Sequence, residues 1–185
     1  VPVALQACPL MHATALANAY GMLSMGGTVV VLEHVHFDAA RIWDEVDRSG
    51  VTWLTIVGDA FARPLLAELE AHPARWSLRT LGVVYSAGVM WSHEVKSGML
   101  AFLRDDVRLL DAFGSTEAAG MGRSVSVKGS VAETAAFAIG ELAQVIAEDG
   151  TFVQPGSGVV GMAAFGGPTP EGYYRDEKKT AETFR

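Results

Sequence analysis

Between residues 28 and 110 the chain alternates two textures, and this alternation limits its fold more than any other feature. Apolar runs at 28–32, 52–57, 81–85 and 107–110 are rich in Val, Ile and Leu and lack polar alternation. Strands buried on both faces read this way. The segments between them have helical periodicity. Asp38 is placed to cap a helix presenting Ile42, Trp43 and Val46. Asp59 is placed to cap a second, presenting Phe61, Leu65, Leu66 and Leu69, with Pro64 in its early turns. Ser92 is placed to cap a third, presenting Val95, Met99, Phe102 and Leu103. A repeating βα order implies an α/β fold, a parallel sheet with flanking helices and right-handed crossovers. After Gly122 the texture changes to short strand-like pieces. Glu148-Asp149-Gly150 reads as a hairpin turn between 144–147 and 151–153, and 159–165 reads as another strand. The expected division is therefore an α/β part, 1–122, and the start of a β-rich part, 123–185.

No Asp, Glu, Lys or Arg precedes Glu33, so residues 13–32 form an uncharged stretch long enough to span a bilayer. Gly26-Gly27 splits it into a helix-like and a strand-like half. The favoured reading is a buried helix followed by a buried strand, with no transmembrane segment. A net charge of −7 over 185 residues argues against a nucleic-acid surface, which is normally basic. Cys8 is the single cysteine, which excludes an internal disulfide and a Cys-based zinc site. A cytoplasmic setting fits.

The residues with most chemistry follow the last apolar run: Asp111-Ala112-Phe113-Gly114-Ser115-Thr116-Glu117. In open α/β sheets ligands bind outside the carboxyl ends of the strands. As a strand-exit loop, this segment offers an aromatic face for a base, a glycine for close backbone approach, two hydroxyls and a carboxylate. The alternative is an ordinary strand-to-helix turn with Ser115 or Thr116 as N-cap. Tyr85-Ser86-Ala87-Gly88-Val89-Met90 lies on another strand exit. Its alternative is a generic turn using Gly88 for backbone freedom. His34 and His36 form a His-x-His pair after a strand. That spacing occurs in metal hydrolases built on (β/α)8 barrels, but four βα strands do not supply such a barrel, and a solvent-facing loop is the better reading. No Gly-x-Ser-x-Gly elbow is present.

Pro9-Leu10-Met11-His12, Tyr85–Met90, Asp111–Glu117, and Gly172-Tyr173-Tyr174-Arg175-Asp176 with Lys179-Thr180-Ala181-Glu182-Thr183-Phe184 occur in one order. In this ordered set the chain resembles the adenylate-forming superfamily, above all its AMP-forming acyl-CoA synthetases. The resemblance implies that Phe113 stacks on adenine, with Phe where tyrosine is common. Asp111 falls where a polar side chain meets the adenine amino group. Ser86, Ala87, Gly88, Ala112, Gly114 and Ser115 fall on the nucleotide-binding surface, and Ala87 replaces a frequent glycine. Thr116 falls on the phosphate-binding threonine and Glu117 on the magnesium-coordinating glutamate. His12, Gly88 and Gly120 fall on the acyl pocket. For His12 a buried, hydrogen-bonded histidine at a helix start stays open, and for Gly120 flexibility between two sub-structures.

The resemblance also implies ATP, Mg2+ and CoA as reactants, with a hydrophobic carboxylic acid activated as acyl-AMP and passed to CoA. A fatty acid or sterol side chain is the expected acid. Loading of a carrier protein and a non-catalytic nucleotide-binding module remain alternatives, and the oligomeric state is open. The family's phosphate loop and C-terminal lysine domain are not among these residues. The chain by itself is therefore expected to lack ligase activity.

Overall fold

The computed structural model describes residues 1–33 and 36–184. His34, half of the His-x-His pair, lies outside the described residues. In chain order the elements are β1 (Val3–Gln6), α1 (Ala13–Ser24), β2 (Thr28–Val31), α2 (Ala39–Arg48), β3 (Trp53–Ile56), α3 (Gly58–Ala71), β4 (Val83–Ala87), α4 (His93–Phe102), β5 (Arg108–Phe113), β6 (Gly122–Ser126), β7 (Ala138–Ile139), β8 (Ala143–Ile146), β9 (Met162–Phe165) and α5 (Glu177–Thr183). The main sheet has seven strands in the order β2-β1-β3-β4-β5-β6-β7. β1 to β5 are parallel, and β6 and β7 join antiparallel. The expected α/β sheet with flanking helices is present, and β3, β4 and β5 are neighbours as expected.

Strand β1 escaped the sequence reading. It is four residues long, but it sits inside the sheet between β2 and β3. The chain moves one way from β1 to β2 and back across β1 to β3. Right-handed crossovers in opposite directions place α1 on one face and α2 to α4 on the other. The core follows that division. Ile42, Trp43 and Val46 of α2, Ala62, Leu65 and Leu69 of α3, and Val95, Met99 and Leu100 of α4 form one cluster over Leu5, Leu54, Ile56, Val84 and Leu109. The Trp43 indole is wholly buried and donates to the Leu65 carbonyl at 3.0 Å. Burying such residues removes about 25 cal/mol of hydrophobic cost per Å².

The 28–32 segment differs from expectation. β2 is the edge of the sheet, so its residues are half-exposed or exposed instead of buried on both faces. α1 buries only Ala15, Ala19 and Met22, and leaves Leu16, Tyr20 and Leu23 exposed. No helix among the described residues is long and apolar enough to cross a membrane.

Caps differ as well. Asp38 caps α2 by accepting from the Arg41 amide at 3.1 Å, as expected. Asp59 lies inside the first turn of α3 and accepts from the Ser92 amide instead. Ser92 precedes α4 but makes no cap hydrogen bond. Pro64 falls in the interior of the 14-residue α3, because the helix starts at Gly58. Phe102 stays partly exposed while Val95, Met99 and Leu103 are buried.

Beyond residue 122, β6 and β7 extend the main sheet, and β8 and β9 form a separate antiparallel pair. The 148–150 turn is present. Gly150, at φ +83°, donates to Ala147 at 2.9 Å, and Ala147 donates to Thr151 at 2.8 Å. The expected strand at 151–153 is reduced to a single bridge, Ile146 to Phe152, because β8 takes β9 as its main partner.

Candidate nucleotide site

β4 and β5 end side by side, with Ser86 opposite Asp111 and Ala87 opposite Ala112. β5 runs through Phe113, so Asp111, Ala112 and Phe113 are strand residues and only 114–121 form the exit loop. No helix follows this loop. It turns into antiparallel β6, with Phe113 opposite Gly122. The reading of Ser115 or Thr116 as a helix N-cap is thereby eliminated.

The start of α3 fixes the β4 exit. The Gly58 amide donates to the buried Ser86 Oγ at 2.8 Å, and the Asp59 amide donates to the Met90 carbonyl at 2.9 Å. The Ser92 amide donates back to Asp59 Oδ1, also at 2.9 Å. Gly58 has φ +47°, and a Cβ there would collide with the carbonyl oxygens of Val89 and Met90. Gly88 has φ +91°, a region that favours glycine. Thr14 and Val57 flank it, at 3.7 and 3.9 Å from where a Cβ would lie. Thr14 lies in the first turn of α1, which follows β1, and Val57 lies at the exit of β3; the direction of the chain reverses between those two strands. Ligands of open α/β sheets bind at such switch points.

A cavity of about 570 Å³ opens at the exits of β4 and β5. Gly88, Val89, Met90 and Trp91 line one part of it, Asp111 to Gly114 another, and Ala135, Phe137 and Ile139 a third. Phe113 is partly exposed, and its ring lies 5.7 Å from that of Phe137 at 31°. Such a volume and such an apolar wall with few polar groups are typical of a small-molecule site.

Asp111 is a buried polar group on this wall, 3% exposed. The Lys96 ammonium of α4, 1% exposed, lies 3.3 Å from Asp111 Oδ2. Burial pushes the Asp111 carboxyl above the ordinary carboxylate range; the Lys96 charge opposes that shift, and the Asp59 charge adds to it.

The exit loop is tightly closed. A Cβ on Gly114 would lie 2.8 Å from the Ala118 carbonyl oxygen. The Ser115 amide donates to that oxygen at 3.0 Å, and the Ala118 amide donates to Ser115 Oγ at 3.1 Å. Glu117 accepts a hydrogen bond from the Tyr173 hydroxyl on Oε1. That bond, helped by the Glu117 backbone and Ser115, holds the Glu117 carboxyl below its ordinary value. The Lys179 ammonium sits 4.3 Å over the Tyr173 ring. Magnesium is commonly held by one or two carboxylates plus substrate phosphates rather than by an all-protein cage. Glu117 fits that pattern: it is a half-buried carboxylate with one oxygen oriented by Tyr173. No cluster of three or more His, Cys, Asp or Glu residues exists among the described residues.

The cavity thus gathers Gly88, Asp111, Ala112, Phe113 and Gly114. Ser86 and Ala87 lie beneath its edge in β4, and Ser115, Thr116 and Glu117 continue from it. Gly120 is exposed at φ +79° with open space around it. His12 is exposed at the head of α1 and makes no cap hydrogen bond, so the expected alternative of a hydrogen-bonded helix-start histidine is not what is found. Sequence reasoning missed Phe137, Ala135, Ile139, Lys96 and the role of Tyr173. Only Tyr173 left a signal, as part of the Gly172-Tyr173-Tyr174 segment.

The family described as AMP-binding enzyme matches residues 2–174. A 3-oxocholest-4-en-26-oate–CoA ligase of Rhodococcus rhodochrous is 34% identical over 182 residues, 96% of this chain and 32% of that protein. A medium/long-chain-fatty-acid–CoA/3-oxocholest-4-en-26-oate–CoA ligase of Mycolicibacterium smegmatis is 35% identical over 181 residues, with the same coverage. The chain thus spans about a third of the length of these relatives. Among solved structures, a benzoate CoA ligase from Burkholderia xenovorans superposes with a TM-score of 0.77 at 22% identity, over 99% of this chain and 36% of that one, a likeness of fold. With a family match over nearly all its residues, and with its strand exits forming one cavity, this chain belongs to the AMP-binding enzyme family.

Proposed function

We propose that the whole protein is an ATP-dependent, AMP-forming acyl-CoA ligase, and that this chain supplies the adenine and metal sides of its site. The observation that carries the proposal is the cavity between the Gly88–Trp91 turn and Phe113, with Asp111 on its wall and Thr116 and Glu117 following directly. Phe113 supplies a ring face for the base. Ser86, bonded to Gly58, holds the β4 exit so that Gly88 and Val89 face that ring across the cavity. Thr116 offers a hydroxyl to the phosphates, and Glu117 would hold the magnesium ion. That ion, when bound, offsets the negative charge that builds as a carboxylate attacks the α-phosphate. His12 and Gly120 are proposed to border the acid.

A hydrophobic acid, a fatty acid or a sterol side chain, is the proposed substrate, because the two relatives above are named for such acids. CoA is the proposed acceptor on the same ground. The cytoplasm, where ATP and CoA are available, is the proposed setting. Residues 1–122 are proposed as the α/β part of the large domain and 123–185 as the start of the next part, with β6 and β7 joining them. The chain alone is proposed to be inactive.

The test is Glu117→Gln in the whole protein, with the two half-reactions assayed separately. Acyl-adenylate formation is expected to fall about a hundredfold or more, as for loss of one electrostatic stabiliser. Thioester formation from supplied acyl-adenylate is expected to fall far less. Equal, modest losses in both would reject Glu117 as the metal ligand.

A further inference from the structure

Lys96 is among the largest wholly buried side chains of the protein, in the company of Trp43, Trp91 and Leu5. It sits in α4 between core residues Val95 and Met99. Its ammonium lies 3.3 Å from Asp111 Oδ2 and has no other hydrogen-bond partner among the described residues. Ser86, Asp111 and Ser124 are cross-strand partners on β4, β5 and β6, so they form a polar row on one face of the sheet. Ser86 Oγ is engaged by Gly58, and Ser124 Oγ has no partner.

Such a pair is a poor stabilising device. Taking two charges out of water costs several kcal/mol per ion, and apolar replacements of similar volume are often as stable or more so. Asp111 lines the cavity, whereas Lys96 does not. The pair is therefore arranged to present one charged member to whatever enters.

We propose that Lys96 is a positioning residue that keeps Asp111 an ionised, oriented acceptor, and that the pair selects a base carrying an exocyclic amino group, adenine, over a 6-oxo purine. The inference rests on the adenine reading of the cavity. An ionised carboxylate only accepts hydrogen bonds, whereas a protonated one also donates. Adenine presents an amino donor at position 6, and hypoxanthine presents a carbonyl oxygen there. Facing a carboxylate, the donor forms a charge-assisted hydrogen bond and the oxygen is repelled. Without Lys96, no other cation among the described residues opposes the burial of the Asp111 carboxyl, and the neutral acid would accept either base.

The experiment compares ATP with inosine triphosphate in acyl-adenylate formation by the whole protein. The unaltered protein is expected to prefer ATP. Lys96→Met is expected to lower kcat/KM for ATP roughly tenfold to a hundredfold, mainly through KM, as for loss of a hydrogen bond to a charged group. Inosine triphosphate should change much less, so the preference collapses. Lys96→Met combined with Asp111→Asn should show no preference either, because a carboxamide, like a neutral acid, both accepts and donates. Lys96→Met combined with Asp111→Leu keeps an uncharged, fully packed site and should show no preference. If either Lys96→Met or this apolar pair retains the unaltered ATP preference, the inference is overturned while the adenine reading stands. If Lys96→Met lowers both substrates equally, the role is structural and the inference is again overturned. An unaltered protein indifferent to the base would overturn the adenine reading, and the inference with it.

Discussion

The Tyr173 hydroxyl donates to Glu117 Oε1 across 56 residues of sequence, and this bond is the first cause of the lowered Glu117 pKa. It ties the segment before α5 to the exit loop of β5. Tyr173→Phe should therefore raise the Glu117 titration midpoint toward its ordinary value of 4.5, as followed by carboxyl-carbon NMR. The sign of the linked stability follows from a depressed carboxyl. The contribution is present above pH 4.5 and is lost as the pH falls through the lower folded value. Amide protection around Tyr173, corrected for the intrinsic exchange rate, should thus fall in acid in the unaltered protein and be low at all pH values in the variant. An unchanged midpoint would show that the phenol does not hold Glu117.

Phe113 puts a partly exposed ring on the cavity wall. Phe113→Ala in the whole protein should weaken ATP binding by about 1 kcal/mol or more, the worth of an aromatic stacking contact, while Phe113→Tyr should stay near the original affinity. Calorimetric titration with ATP distinguishes the two. Equal affinities in the Ala and Tyr variants would remove stacking from the role of Phe113.

Gly58 has both a left-handed backbone and no room for a Cβ beneath Val89 and Met90. Gly58→Ala should cost about 2–5 kcal/mol, the sum of left-handed strain and overpacking. Urea denaturation reads this cost directly. The change should also displace the Gly88–Trp91 turn and weaken nucleotide binding. A loss under about 0.5 kcal/mol, the usual size for an unconstrained surface site, would mean the turn is free to move.

Cys8 is buried, and desolvation lifts its thiol from an ordinary 9.0 to about 11. Attack on a disulfide needs the thiolate. Cys8 should therefore react slowly with an aromatic disulfide reagent at about pH 8, near the ordinary thiol range, and promptly once urea unfolds the chain. A raised folded pKa makes the linked stability full below pH 9.0 and lost as the pH rises through about 11. Rapid labelling under native conditions would contradict the burial.

The parallel sheet was legible because its determinants are local. Unbroken Val, Ile and Leu runs and the Asp38 cap act over a few residues, and each run can be buried only if helices cover both faces of the sheet. The exit residues were legible by their chemistry and their order, which the resemblance turned into roles. Strand β2 misled because composition does not show which strand lies at the edge of a sheet. Asp59 misled because a carboxylate at a helix start can serve its own helix or, as here, an amide 33 residues away. Lys96 escaped because the helical periodicity after Ser92 does not reveal that the row bearing Asp111 lies beneath α4. Residues 135–139 reach the cavity because β7 pairs with β6, a long-range pairing that their short, weakly patterned sequence does not announce. The sequence alone thus determined the layers and the chemical parts of the site. The tertiary structure decided which of those parts meet, because the Asp111–Lys96, Phe113–Phe137 and Glu117–Tyr173 contacts each join separate elements and exist only once those elements pack.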